Sequence, residues 1–502
     1  MKDLAGRSLT AFLWGAGGSI VKIILQFGAQ VVLARLLGPT EYGLFALGVI
    51  VVSFSTFFSD MGLAYGLIQK KSVDVNDIRF VWTWQCMLGI LVSGIVFYSA
   101  GSLANLFAKP EAEFIFQSLS LVVLINAVTS LSTNLLKKSL NFKILQVSEL
   151  FSYFLGFGCV GIPLAISGYG GASLVAAWLV QSASNFIILY LQVRHPLTFK
   201  FWTTDGGHML RYGATALGTY LINWVLNGAD KILVGRIFSS YTVGLYTTAF
   251  NFVNAPSSAI YGNLQSIVFS ACARLQDNHE ALREVFLRLL SLITLITFPL
   301  FILIAVGSEF LIVIVYGVKW LDAAQLLTPF ALAMPFLLIW GISTPILWNS
   351  GYTKLEFWLQ LPMVFLWLAV LSTLTDSSPQ VVATVAASLF ALRCIVMVLA
   401  VVKILKISPR SFLNAIFGGI VLSLIVAFVS LSLRPSITAF NAAPPVQLLL
   451  LLSAGGIAYF LSMCLLVPML VDERMAAYIM MGQKKLPQWT RPIVRYLLGN
   501  QK

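Results

Sequence analysis

A chain of 502 residues that is 59% hydrophobic and 10% charged, with a mean hydropathy of +0.89, is not a soluble protein, because soluble domains run near a quarter charged. A net charge of +13 suggests nucleic acid only if the location of the basic residues is ignored, and here that location is topological. The five cysteines, Cys86, Cys159, Cys272, Cys394 and Cys464, have no paired spacing, so they indicate neither a disulfide framework nor a zinc site.

Apolar runs of bilayer-spanning length recur along the whole chain. They predict fourteen helical spans: 10–34, 42–66, 80–104, 113–135, 144–167, 171–193, 211–235, 243–268, 286–307, 322–347, 355–374, 380–402, 411–432 and 446–470. The polar breaks between them are too short to hold a soluble domain. The run after Arg7 is long and continuous, which does not fit a cleavable signal.

In the first span Gly15, Ser19, Lys22, Gln26 and Gln30 are spaced to share one helix face. A charge at mid-span costs roughly 2.5–3.5 kcal/mol, so Lys22 needs a cavity or a partner. Asp60 falls in the inner half of the second span and Glu149 near the inner end of the fifth. Either carboxylate suits a coupling cation or proton, and Glu149 equally suits interfacial water. In the seventh span Thr215, Thr219, Asn223, Asn227 and Asp230 form a second polar stripe. Asp230 and Lys231 are adjacent, point about 100° apart and lie near the outer end, where snorkelling to water is easy. Asn254 with Pro256 in the eighth span, and Pro329, Pro335 and Pro345 in the tenth, mark kinks. Arg393 is near the middle of the twelfth span, as a cavity cation or a buried partner of a carboxylate. Beyond residue 471, Trp489, Ile493, Val494 and Leu497 alternate with Lys484, Lys485, Arg491 and Arg495. That pattern reads as a helix on the inner leaflet or as a solvated tail.

The chain also repeats itself. Gly28 to Phe45 reads GAQVVLARLLGPTEYGLF, and Gly228 to Tyr246 reads GADKILVGRIFSSYTVGLY. Arg35 aligns with Arg236, Gly43 with Gly244, Leu44 with Leu245 and Phe45 with Tyr246. Ala100-Gly101-Ser102 then matches Val306-Gly307-Ser308, and Ser132 to Lys143 matches Ser343 to Lys354. Three collinear matches indicate a duplicated half. At the offset of the first match, Lys22 aligns with Asn223 and Gln26 with Asn227, so the two polar stripes hold equivalent places, as the lining of a central cavity would. Hydrogen bonding between helices of one lobe is the competing explanation.

Of the 32 Lys and Arg residues, Arg35, Lys109, Arg236, Lys319 and Arg434 fall on one set of loops, and Lys22, Lys231 and Arg393 fall within spans. All the others lie on the N-terminus, the opposite loops and the C-terminal tail, which places both termini in the cytoplasm. Both halves then start on the same side, as parallel repeats about an axis along the membrane normal. The expected fold is an all-α polytopic membrane protein of about 14 transmembrane helices. Residues 1–200 and 201–410 form two six-helix lobes, and 411–502 hold two extra helices and the amphipathic tail. No Gly-x-x-x-x-Gly-Lys-Ser/Thr is present, so no ATP engine of that kind is expected. No HExxH occurs, and His195, His208 and His279 fall in loops, so no intramembrane histidine relay is expected; the outer connections around 308–321 and 433–445 are too short for a catalytic domain, so a transporter is expected rather than an enzyme.

The runs LARLLGPTEYGLFAL (Leu33 to Leu47), ADKILVGRIFSSYTVGLYTTAF (Ala229 to Phe250) and VYGVKW (Val315 to Trp320) resemble the Wzx-type polysaccharide flippases, the polysaccharide transport family of the wider MATE-like exporter superfamily. The resemblance covers about residues 5–410. It implies two six-helix lobes around a central cavity and alternating access. The implied cargo is an undecaprenyl-diphosphate-linked oligosaccharide, moved to the periplasmic leaflet of a bacterial inner membrane. It implies a cationic cavity, which Lys22 and Arg393 fit, with Gln26, Asn223 and Asn227 as hydrogen-bonding wall. It implies coupling to an H+ or Na+ gradient without a cofactor, for which Asp60 and Asp230 are the candidate carboxylates. Membrane lipids, a polysaccharide polymerase and chain-length or export proteins are the implied partners. The rival readings are a multidrug or other lipid-linked precursor exporter, and a membrane glycan polymerase. A cationic midplane argues against cationic drugs, and the short outer loops argue against a catalytic domain.

Overall fold

The computed structural model describes residues 2–470 except 71–72, 274, 276–277 and 441. The expected tail helix beyond 471 lies outside the described residues, as do the side chains of Ser19, Thr215 and Thr219 and the surroundings of Gly15. Every regular element described is helical, and among the described residues eleven helices are long and apolar enough to cross a membrane, so this is a multi-pass membrane protein. Contacts divide the chain into two compact units, Met1–Asn251 with Leu361–Val382, and Phe252–Gln360 with Ala383–Lys502.

The first unit begins with α1 (Lys2–Leu37), α2 (Pro39–Asp60) and α3 (Leu63–Gln69). The expected span 42–66 is thus two helices, because Met61 and Gly62 both take left-handed backbone, with φ of 44° and 65°. Met61 is the left-handed cap that terminates α2, its N–H donating to the Phe57 carbonyl, and Gly62 takes the same conformation at no steric cost. The span expected at 80–104 likewise divides at Ser99 into α4 (Val75–Tyr98) and α5 (Ala100–Leu106). Asp74 and Asp77 form a reciprocal capping box at the start of α4. Next come α6 (Glu113–Lys138), α7 (Phe142–Tyr153), a π-helical stretch (Phe154–Gly161), α8 (Ile162–Ile166), α9 (Ala172–Val193) and α10 (Gly206–Ile237). The first turns of α11 (Ser240–Ala273) complete this part of the unit. α10 packs on α2 and α3, so helices that the sequence places in the second repeat have contacts with the first.

The connection between the repeats, residues 194–205, is strapped to α4. Lys70 Nζ lies 2.5 Å from Asp77 Oδ2 and 2.6 Å from Asp205 Oδ2, and Thr203 Oγ1 donates to Asp77 at 3.0 Å. Burial would lower the Lys70 pKa, but the hydrogen bonds and charges of Asp205 and Asp77 carry it above the ordinary value. Lys138 donates to the carbonyls of Leu67 (2.7 Å) and Lys70. Within the same connection His195 is buried between the rings of Trp82 and Tyr190.

Burial depresses the His195 pKa against a raising contact from the Pro196 carbonyl. A depressed folded-state pKa means stability that is complete above the unfolded value of about 6.5 and is lost as pH falls through the folded value. The thermal midpoint in detergent is therefore expected to drop on acidification below about pH 6.5, and His195→Gln to flatten that segment of the pH profile.

The second unit is built on α12 (His279–Val306), with α13 (Ser308–Val315), α14 (Ala323–Asn349), α17 (Pro409–Ala439) and α18 (Pro444–Leu470). Between these in sequence, α15 (Thr353–Ser372) and α16 (Pro379–Ile404) run through both units. α12 packs along α14 and α17, and α17 along α18. Arg434 lies inside α17 rather than in a loop, and its Nη2 pairs with Glu309 Oε2 at 2.6 Å. Pro329, Pro335 and Pro345 lie inside α14, which continues unbroken through all three.

Candidate functional site

The first unit holds an open-mouthed cavity of about 460 Å³ lined mainly by the first two helices of each repeat. Its lining follows the duplication. At the repeat offset, Gln26 corresponds to Asn227, Gln30 to Lys231, Ala46 to Thr247, Val49 to Phe250 and Ile50 to Asn251, and all ten residues line the cavity. The helical spacing 26, 30 on α1 and 227, 231 on α10 turns both polar stripes inward. Tyr153 on α7 and Phe157 in the π-helical stretch close a third side, and Tyr153 Oη donates to the Gln26 carbonyl at 3.3 Å. Trp224 Nε1 donates to Ser53 Oγ at 3.2 Å on the same wall.

The charge in the wall is Lys231. Its ammonium donates to the Asn227 carbonyl at 2.7 Å and sits 4.0 Å from the centroid of the Phe250 ring. Both contacts hold a cation without neutralising it. The sequence reading placed Lys231 in outer-end water; its place in the cavity follows from the i, i+4, i+8 series Asn223, Asn227, Lys231. The expected stripe ends on Asp230, whereas the cavity face continues through Lys231. Asp230 points elsewhere, buried, and accepts from Tyr246 Oη at 2.7 Å.

At the end where α2 and α11 begin, the two helices meet backbone to backbone. A Cβ on Gly43 would lie 1.8 Å from the Ser240 carbonyl oxygen, and a Cβ on Gly244 would lie 2.0 Å from that of Pro39. Pro39 and Ser240 are themselves repeat equivalents, so the crossing is reciprocal and only glycine permits it at either position. At the other end of the stripe, one turn before Gln26, Lys22 Nζ pairs with Glu149 Oε1 at 2.8 Å.

The remaining candidates are apart from these. Asn223 is half-buried one turn before Asn227 on α10, and its carbonyl accepts from Asn227 Nδ2 at 2.7 Å. Asp60 accepts from Gln85 Nε2 at 2.8 Å and Ser130 Oγ at 2.7 Å. Arg393 belongs to the second unit and is 2% exposed. It donates through Nη2 to Gln360 Oε1 at 2.8 Å and stacks 3.9 Å above the Trp340 ring, which in turn stacks on Tyr261. Gln360 donates to Glu356 Oε1 at 2.8 Å, and Glu356 also accepts from Trp348 Nε1 (2.6 Å) and Thr344 (3.3 Å). Glu356 was not singled out from sequence because it lies at the edge of its expected span. Its signal is the buried carboxylate that an intramembrane arginine requires.

A family model described as "Polysaccharide biosynthesis protein" matches residues 32–325. The teichuronic acid biosynthesis protein TuaB of Bacillus subtilis (strain 168) is 22% identical over 91% of this chain and 95% of its own length. The lipopolysaccharide biosynthesis protein WzxC of Escherichia coli (strain K12) is 24% identical over 63% of this chain and 65% of its own. Among solved structures, the lipid II flippase MurJ in an inward closed conformation superposes with a TM-score of 0.73 over 91% of this chain and 99% of MurJ, at 16% identity, and so shares the fold. With the family model matching more than half of its length, the chain belongs to the polysaccharide biosynthesis protein family, as its Leu33–Leu47 and Ala229–Phe250 runs indicate.

Proposed function

We propose that the protein is a flippase that moves undecaprenyl-diphosphate-linked oligosaccharide units from the cytoplasmic to the periplasmic leaflet of a bacterial inner membrane, for surface or exopolysaccharide synthesis. The observation that carries this reading is the repeat-symmetric cavity with amide walls and a cation, Lys231. Amides hydrogen-bond a glycan, and ammonium groups draw a diphosphate out of the headgroup region. In this reading α1, α10 and α11 are spans beside the eleven, making fourteen in two parallel repeats, and the distribution of Lys and Arg over the loops supports cytoplasmic termini. The Gly43–Gly244 crossing is then the closed outer gate, and Lys22 is the first cation that cargo meets from the cytoplasm. Gln26, Asn223 and Asn227 continue the path. Asp60, held by two neutral donors, and Asp230 are the carboxylates for coupling to an H+ or Na+ gradient. A polymerase and chain-length proteins receive the product.

A deletion strain should lose surface polysaccharide and accumulate lipid-linked units in the inner leaflet. Lys22→Ala and Lys231→Ala should each lower glycan export per folded molecule by about tenfold or more, while Lys22→Arg keeps much of it, because charge rather than fork geometry is required. Export is to be measured beside membrane protein abundance. Unaltered polysaccharide with lost drug resistance in the deletion strain would replace this reading with the multidrug one.

A further inference from the structure

Lys22 and Glu149 lie on two helix faces that run together into the cavity. Along α1 the face continues as Gln26 and Gln30; along α7 and the π-helical stretch it continues as Tyr153 and Phe157. These four line the cavity, so the ion pair sits one helical turn outside it, at the end opposite the glycine crossing. α1 and α7 are close here: a Cβ on Gly18, one turn before Lys22, would lie 2.7 Å from Gln146 Cβ. The pair is nonetheless reachable, with side-chain exposures of 30% for Lys22 and 39% for Glu149. A buried structural pair would have neither side chain open.

Resting on the flippase reading, we propose that Glu149 is an internal competitor of the cargo: its carboxylate occupies Lys22 when the site is empty, and the cargo's diphosphate displaces it. Both anions offer oxygen acceptors to the same ammonium, so the exchange trades one charge-assisted hydrogen bond for another. The exchange has two consequences. Lys22 is never left as an unpaired charge in the membrane, which is costly. The returning carboxylate also helps to expel the diphosphate, so that a cationic site does not become a trap. Glu149 is therefore a positioning residue that sets how tightly cargo is held, and it acts only through Lys22.

The test uses the full chain in lipid nanodiscs, with a polyprenyl diphosphate as probe against discs of the same phospholipids without it. Glu149→Gln is expected to bind the probe roughly three- to tenfold tighter than the wild type, the range expected from removing one partly exposed competing charge. Export per folded molecule is expected to fall at the same time. In the Lys22→Ala background the Glu149→Gln gain should vanish, since the two act as one unit. Glu149→Asp, which keeps the charge on a shorter stem, should fall between the wild type and Glu149→Gln, and it serves if Glu149→Gln is poorly folded. Equal or weaker probe binding by well-folded Glu149→Gln overturns the proposal, as does a gain that persists without Lys22. If wild type and variant both bind no probe, the flippase reading fails and this inference fails with it.

Discussion

Alanine at Gly43 is expected to destabilise the conformation described here more than almost any other single methyl group in the chain. The added Cβ would stand 1.8 Å from the Ser240 carbonyl oxygen and 2.7 Å from the Gly244 nitrogen, and both obstacles are backbone. Overpacking typically costs about 1–3 kcal/mol where side chains can shift aside; here α2 and α11 must separate, so the cost falls at or above the top of that range. Gly244→Ala should do the same from the other side, where Pro39 supplies the carbonyl at 2.0 Å. Once either methyl has parted the helices the second finds room, so the double variant should cost little more than one single. If the crossing is the outer gate, the variants should also populate a state in which the cavity opens outward. A thiol placed at Thr247, in a background without the five native cysteines, should then label faster from the periplasm in Gly43→Ala than with glycine present. An unchanged thermal midpoint together with unchanged labelling would mean that the helix ends already separate freely.

Much of this site was legible in the sequence, for a definite reason. A duplication fixes which residues are equivalent, and a cavity between equivalent helices must be lined by equivalent positions. By that logic Gln26 and Asn227 share a wall, and both line the cavity. It fell short where side-chain direction decides. Lys231 and Asp230 are neighbours in sequence, yet one lines the cavity and the other is buried against Tyr246. Charge at a span end looks interfacial when hydropathy is the only guide, and Glu356 and Glu149 both lie at such ends. The helix breaks at Met61–Gly62 and Ser99 were invisible to hydropathy because apolar residues continue across them. Pairing across the fold, such as Lys22 with Glu149, has no local signature at all.

Arg393 provides the sharpest separation of stability from transport. Its guanidinium is held by Gln360 and Trp340, and Gln360 carries the link to Glu356, all within the second unit. Arg393→Met should therefore leave the Glu356 carboxylate buried without its balancing charge, a loss on the order of 3–5 kcal/mol, enough to remove most folded protein from the membrane. Glu356→Gln alone should be costly for the reciprocal reason. Removing both charges is the informative step, because a buried pair exchanged for neutral groups of similar volume is often close to neutral in stability. The double variant Arg393→Met with Glu356→Gln is thus expected to recover most of the abundance lost by either single one. Glycan export per folded molecule in that double variant then decides what the charge is for. Export near the wild type makes Arg393 a fixed element of its unit, with Lys22 and Lys231 as the cations that meet the cargo. A well-folded double variant that does not export would assign Arg393 to the cargo's path, reached in a conformation that frees it from Gln360.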